Sequence, residues 1–112
     1  SVIIDNHVQI AHNCVVGDGT ALAAFCALAG SVKLGRNCVL GGYATVVGHL
    51  SICDNVILTA HAYVTKSIAK PGSYSSSTTP LMESLQWRKT AVRIGQLEDI
   101  VQRLKRLEDN KN

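Results

Sequence analysis

The sequence predicts an all-β domain, a left-handed parallel β-helix of hexapeptide repeats, followed by C-terminal α-helices. Two columns of residues and one change of composition carry that prediction. Every sixth residue is a branched aliphatic, in the unbroken series Ile4, Ile10, Val16, Leu22, Leu28, Leu34, Leu40, Val46, Ile52, Leu58 and Val64. A period of six suits neither a helix nor a plain alternating strand. It suits short strands alternating with turns, each repeat stacking on others one coil away. The residue four after each aliphatic is also small or apolar: Val8, Cys14, Thr20, Cys26, Val32, Cys38, Ala44, Leu50, Val56, Ala62 and Ile68. Together the two columns fill a narrow prism. Three repeats per left-handed coil, which sets Leu22 on Ile4 and Leu40 on Leu22, is taken from the behaviour of six-residue solenoids and not from the period itself.

The elements follow in order. The position after each aliphatic is mostly small (Gly17, Ala23, Ala29, Gly35, Gly41), as a tight corner with crowded or positive backbone angles prefers. The solenoid runs from about Val2 to Lys70, close to four coils, and Pro71-Gly72 is expected to end its ladder with a turn. The expected organisation is therefore a β-helix over 1–72, a Ser/Thr-rich crossing loop over 73–83 and a helical extension over 84–112. In that extension Leu97, Ile100, Leu104 and Leu107 are spaced three, four and three apart with charges between them, a short coiled-coil seam. Two heptads are marginal alone. The seam calls for a partner helix, most simply its own copy in an oligomer, or for its own solenoid, and the sequence does not choose.

Composition narrows the class. The chain has 112 residues, enough for one domain, and a net charge of +3 implies no general nucleic-acid surface. Cys14, Cys26 and Cys38 recur at every second repeat of the second inward column, where reduced cysteine acts as a small hydrophobe. With no CxxC or CxxH pairing, the expectation is no disulfide, no metal and no cofactor, in a reducing, cytoplasmic setting. The apolar run Ala21 to Ala29 is too short to span a bilayer and lacks a basic start, so no transmembrane segment is expected. The chain begins at Ser1 already in register, and solenoids need capped ends, so it reads as the carboxy-terminal portion of a longer protein.

Positions one coil apart are separated by one strand spacing, about 4.8 Å. One corner then stacks Asp18-Gly19, Arg36-Asn37 and Asp54-Asn55, ordinary solvated turns. A second stacks His7, Phe25, Tyr43 and His61 beside Asn6, Ala24, Gly42 and Ala60. Exposed stacked aromatics favour burial, which a neighbouring subunit in a ring would provide, its His12 corner facing the aromatic corner of the next; a self-docked C-terminal segment is the alternative. The third corner stacks His12, Gly30 and Gly48, with Asn13, Ser31 and His49 alongside. A lone histidine is ordinarily a polar turn residue. His12 differs in following Ile10-Ala11 and adjoining a glycine stack. Histidine can take a proton from a nucleophile near neutral pH, and a glycine N–H can approach a developing oxyanion. Those are the parts of acyl transfer. His49, two coils from His12, is placed about 10 Å away by the same spacing.

The segments IDNHVQIAHN (Ile4 to Asn13), LAGSVKLG (Leu28 to Gly35), GGYATVVGH (Gly41 to His49), PGSYSS (Pro71 to Ser76) and WRKTA (Trp87 to Ala91) resemble the UDP-3-O-(3-hydroxyacyl)glucosamine N-acyltransferases of lipid A synthesis. The resemblance spans nearly the whole chain. It implies a homotrimer with three sites between subunits, in which an acyl carrier protein presents a 3-hydroxyacyl thioester to the 2-amino group of a UDP-sugar. By match to IAHN, His12 is the general base; by match to AGS, the Gly30 N–H binds the oxyanion; by match to GH, His49 is a second active-site histidine that orients substrate or donor. Asp5, Asn6 and Asn13 are expected near the cleft, for sugar or pantetheine. Arg88, Lys89, Arg93, Arg103, Lys105 and Arg106 concentrate positive charge in the final quarter, which suits the acidic carrier protein, steered by complementary charge; a solvated helix face is the plainer reading. Tyr63, in the last full coil, has the bulk to block or shorten an acyl channel.

The family's amino-terminal uridine-binding domain has no counterpart here, so uridine recognition is expected to be absent from this chain. Three other readings stay open. One is an O-acyltransferase of the same fold acting on UDP-N-acetylglucosamine. Another is a zinc-dependent carbonic anhydrase-like trimer, which needs metal–nitrogen distances near 2.0 to 2.1 Å although His12 and His49 are two coils apart. The third is a non-catalytic trimeric scaffold.

Overall fold

The computed structural model describes residues 1–76 and 79–111, and its architecture is a parallel β-helix of hexapeptide repeats followed by two α-helices. Each hexad contributes one short strand. The first coil holds β1 (Ile3–Ile4), β2 (Gln9–Ile10) and β3 (Val15–Val16). The second holds β4 (Ala21–Leu22), β5 (Ala27–Leu28) and β6 (Lys33–Leu34). The third holds β7 (Val39–Leu40), β8 (Thr45–Val46) and β9 (Ser51–Ile52), and β10 (Val56–Leu58), β11 (Tyr63–Val64) and β12 (Gly72–Tyr74) complete the stack. The strands form three parallel sheets: sheet A, β1-β4-β7-β10-β12; sheet B, β2-β5-β8-β11; and sheet C, β3-β6-β9. Pairing joins strands three hexads apart, Ile4 opposite Leu22, Ile10 opposite Leu28 and Val16 opposite Leu34.

The core consists of the two sequence columns. From Thr20 to Ala62 their members are buried, Leu50 only in part. Ile4, in the first strand, is half-exposed. Thr20 is the buried polar member: its hydroxyl donates to the Gly35 carbonyl at 2.8 Å and accepts from the Cys38 N–H at 3.0 Å. The cysteine thiols repeat the first of these bonds. Cys14, Cys26 and Cys38 donate to the carbonyls of Ala29, Gly41 and Cys53 at 3.1, 3.0 and 3.3 Å. All four cysteines are free, and burial pushes the Cys26 thiol above its ordinary value, against a smaller opposite pull from the backbone of Ala44 and Ala23.

The corners differ from expectation in where the left-handed residue sits. Gly17, Gly35 and Gly41, directly after the aliphatics, have no positive φ; they are small because the next coil crowds them. A Cβ on Gly17 would stand 2.4 Å from the Gly35 carbonyl carbon, and one on Gly41 2.6 Å from the Ala60 nitrogen. The positive φ falls two positions later, at His7, Asn13, Gly19, Phe25, Ser31, Asn37, Tyr43, His49, Asn55 and His61. That residue turns the chain into the next face, and its N–H closes the corner on the coil before, as Tyr43 does on the Ala24 carbonyl at 3.1 Å. Left-handed backbone is tolerated by Asn but unusual for bulky side chains.

Pro71-Gly72 does not end the ladder. β12 pairs with β10 through Val56–Gly72 and Leu58–Tyr74, and Ile52 bridges Ile68. The last coil is thus shorter by two positions than the coils before it, in which Ile3 pairs with Ala21 and Val39 with Ile57. Pro71 lacks only its own N–H and precedes the strand, so the Gly72 N–H still reaches the Asn55 carbonyl at 3.2 Å. Ser73 and Tyr74, expected in a loop, are therefore strand, while Ser77 and Thr78 of that loop lie outside the described residues. The PGSYSS segment seals the stack: Thr59 Oγ1 and Ser75 Oγ lie 2.7 Å apart, Tyr74 packs on the core, and its hydroxyl donates to the Lys70 carbonyl at 2.6 Å.

The chain divides into two compact units, Ser1–Thr78 and Thr79–Asn112. The second holds α1 (Ser84–Gly95) and α2 (Leu97–Asp109). Glu83 caps α1 by accepting the Leu85 N–H, and Gln96 separates the helices. Leu97, Ile100, Leu104 and Leu107 are all exposed, so the seam is without cover, and Asn112, at the end of the expected extension, lies outside the described residues. Among the described residues no helix is long and apolar enough to cross a membrane.

Candidate functional site

The corner between β2 and β3 holds His12 and Asn13. Ala11 donates to the Leu28 carbonyl at 3.0 Å, holding His12 above the coil that bears Gly30. The Ser31 N–H then reaches the His12 carbonyl, and the His49 N–H the Gly30 carbonyl, each at 2.9 Å. This backbone ladder sets the side chains in register. The His12 imidazole lies directly against Gly30, where an added Cβ would stand 2.5 Å from Nε2 and 2.6 Å from Cε1. Gly30 is glycine because the imidazole occupies the space of a side chain.

The Gly30 N–H is bonded to nothing among the described residues, whereas its carbonyl is taken by His49. A donor without a partner beside an exposed imidazole offers one proton acceptor and one oxyanion donor in adjacent positions. Gly48 continues the column, a Cβ there standing 3.2 Å from the Gly30 carbonyl oxygen. The crowding at Gly48 is a feature the glycine stack signalled only as a repeat. Asn13 and His49 turn outward at positive φ, with Ser31 between them, so the two histidines share a corner but not a coil.

Asp5 and Asn6 are not at this corner within one chain. They belong to the corner between β1 and β2, where the Asp5 carboxylate accepts the Asn6 N–H at 2.7 Å and the Asn6 carbonyl accepts from Phe25. Sequence distance misleads here, because a single hexad already turns the chain through one side of the prism. That same corner carries the expected aromatic column as a continuous stack. His7–Phe25, Phe25–Tyr43 and Tyr43–His61 have ring centroids 5.0, 4.9 and 4.9 Å apart and near-parallel planes.

Tyr63 stands in β11, paired in register with Thr45 of β8, and its N–H is received by Ser76 Oγ at 2.6 Å. The basic residues divide between the helices, Arg88, Lys89 and Arg93 on α1 and Arg103, Lys105 and Arg106 on α2, all exposed. Among the described residues of the single chain, no three His, Cys, Asp or Glu side chains gather to hold a metal ion.

Comparison with known proteins bears on this geometry. No family model matches the chain. Curated relatives from two strains of Pseudomonas fluorescens, SBW25 and Pf0-1, are 50% and 53% identical to it over 107 residues, and one from Pseudomonas savastanoi pathovar phaseolicola is 48% identical. All three are named UDP-3-O-acylglucosamine N-acyltransferase, and the match covers 96% of this chain and 30% of each relative. A solved serine acetyltransferase isoform 3 from Entamoeba histolytica, in complex with cysteine, superposes with a TM-score of 0.58 at 22% identity, over 80% of this chain and 39% of that one. That likeness shows the fold alone. Over its 107 matched residues the chain is similar to these UDP-3-O-acylglucosamine N-acyltransferases, and it spans about 30% of their length.

Proposed function

We propose that this chain carries the acyl-transfer centre of an N-acyltransferase of lipid A synthesis. It moves a 3-hydroxyacyl group from acyl carrier protein to the 2-amino group of a UDP-3-O-acylglucosamine. The observation that carries the reading is the His12 imidazole lying against the side-chain-free backbone of Gly30. As the amine attacks the thioester carbonyl, the C–N bond forms and the carbonyl oxygen takes up negative charge, which the Gly30 N–H receives. His12 accepts the amine proton, the C–S bond breaks, and the proton passes to the departing pantetheine thiolate. The imidazole thus serves first as base and then as acid.

His49, two coils along the same corner, orients sugar or donor, and Asn13 lies beside His12 to do the same. Three copies in a ring place the Asp5 and Asn6 corner of one chain opposite the His12 corner of the next, which reconciles their separation within one chain with a shared cleft. Arg88, Lys89, Arg93, Arg103, Lys105 and Arg106 receive the acidic carrier, and Tyr63 limits the acyl chain by its bulk.

The test is acyl transfer by the parent protein with amine and hydroxyl acceptors, wild type against His12→Ala. Transfer to the amine acceptor that falls by 100-fold or more, an effect of general-base size at about 10² to 10⁴, is expected. Retained turnover in His12→Ala sinks the mechanism, and preference for the hydroxyl acceptor reassigns the enzyme to O-acylation.

A further inference from the structure

The peptide unit between Ala29 and Gly30 is held differently from its neighbours. The preceding peptide is tied at both ends, its Leu28 carbonyl accepting from Ala11 at 3.0 Å and its Ala29 N–H donating to Val46 at 3.0 Å. The following one is tied as well, the Gly30 carbonyl accepting from His49 and the Ser31 N–H donating to His12, each at 2.9 Å. Between them the Gly30 N–H has no partner among the described residues, and the Ala29 carbonyl accepts from one donor, the Cys14 thiol at 3.1 Å. The corresponding carbonyls at the aromatic corner, those of Ala23, Gly41 and Thr59, accept the backbone N–H of Cys26, Ala44 and Ala62 at 3.4, 3.1 and 3.1 Å. Ala29 receives no such bond, so the thiol stands in for it.

We infer that Cys14 is a positioning residue for the proposed transfer: its thiol anchors the carbonyl of the Ala29–Gly30 peptide, and so aims and strengthens the N–H that receives the oxyanion. The inference rests on the reading of Gly30 as oxyanion donor given above. In a planar trans peptide the carbonyl and the N–H point in opposite directions, so a bond that holds one aims the other. Glycine leaves the backbone beside it unusually free to turn, and an anchored carbonyl limits that freedom. A donor on the carbonyl also polarises the amide and strengthens the bond its N–H makes, as in any hydrogen-bonded chain.

The stack contains a completed chain of this kind. At the corner after sheet C the Thr20 hydroxyl donates to the Gly35 carbonyl at 2.8 Å, and the N–H of that same peptide, from Arg36, donates to the Asp54 carboxylate at 2.8 Å. Inward donor, peptide and anionic oxygen are all present there. The His12 corner repeats the first two and leaves the third place to the substrate. Packing does not explain the thiol. The inward column at this corner is Cys14, Val32, Leu50 and Ile68, so aliphatic side chains fill it in the remaining coils, and its one donor serves the peptide with the unpaired N–H. Cys26 and Cys38 make the same bond at other corners, to the carbonyls of Gly41 and Cys53, where it holds the turn.

The experiment is steady-state acyl transfer by the parent protein as wild type, Cys14→Thr, Cys14→Val and His12→Ala. Threonine and valine are close in shape; valine occupies the column one coil on at Val32, and threonine makes this bond at Thr20. An oxyanion donor is worth about 10² to 10³ in kcat, and a neighbour in a hydrogen-bonded chain strengthens it by about 10 to 30%, which together give a factor of about 2 to 8. Cys14→Val is expected to lose that factor in kcat with KM unchanged, the mark of an interaction made only in the transition state. Cys14→Thr, with the stronger donor, is expected at or above wild type. If circular dichroism shows Cys14→Val unfolded, Cys14→Ala against Cys14→Ser makes the same comparison. Threonine and valine variants that fall together, a valine variant with wild-type kcat, or a loss confined to KM overturns the positioning role. Retained turnover in His12→Ala removes the proposed acyl-transfer centre and this inference with it, whereas an inactive His12→Ala beside an unchanged Cys14→Val removes this inference alone.

Discussion

Replacing Gly30 by Ala isolates the contact on which the proposed chemistry depends. Gly30 has no left-handed backbone angle, so alanine is acceptable to the chain itself. The added Cβ would meet His12 Nε2 at 2.5 Å, whereas ordinary contact begins near 3.4 Å. The imidazole must therefore retreat by about 1 Å, a misplacement that costs on the order of 100-fold in rate, or about 2.7 kcal/mol of barrier. His12 is exposed and can yield without disturbing the core, and the bonds from Ser31 to His12 and from His49 to Gly30 run through the backbone. The expected result is a fall of about 100-fold in kcat with an unchanged melting temperature, measured by acyl transfer and by calorimetry. Ring nitrogen chemical shifts should report a displaced His12. A Gly30→Ala protein that keeps more than about half of the wild-type kcat would refute the reasoning, since a shift of about 1 Å in a working base is not silent.

Two further outcomes follow from the core. Thr20→Val keeps shape but strands the Gly35 carbonyl and the Cys38 N–H, both served by one buried hydroxyl. At about 1–3 kcal/mol for each abandoned group, a loss of about 2 to 6 kcal/mol in urea unfolding is expected, and a loss below about 0.5 kcal/mol, the range of an inconsequential surface change, would contradict it. Cys26 gives a pH dependence. Its folded value is raised by burial, so its contribution to stability is whole below the unfolded thiol value and is lost as pH rises through the folded one. Unfolding midpoints should fall in alkaline solution more steeply for wild type than for Cys26→Ala, and equal slopes would remove the thiol from the account.

Much of the fold was legible because the repeat is short and strict. Once three hexads make a coil, every contact between coils is a subtraction, and Gly30 beside His12, Phe25 beside His7 and Tyr43 beside Phe25 all follow. The same ruler could not separate corners on one coil. Asp5 and Asn13 are near in sequence, yet β2 and a full face lie between them. The uncovered seam of α2 was legible as apolar spacing, but spacing does not name a partner.

By itself the sequence determined the two core columns and the places of the turns between strands, because these depend on side-chain polarity repeating with the chain, whereas the register of one coil on the next needed the three-repeat coil of six-residue solenoids as well. Tertiary structure alone decided three other things. It set the positive backbone angle at the third residue after each aliphatic, where corner geometry demands it and side-chain preference, as Phe25 and Tyr43 show, does not. It carried the ladder past Pro71 with a shortened coil, because the hydrogen bonds of β12 to β10 outweigh a local turn signal. It also made the cysteine and threonine side chains donors to carbonyls of the next coil, since a bond such as that from Thr20 to Gly35 exists only after both coils are stacked.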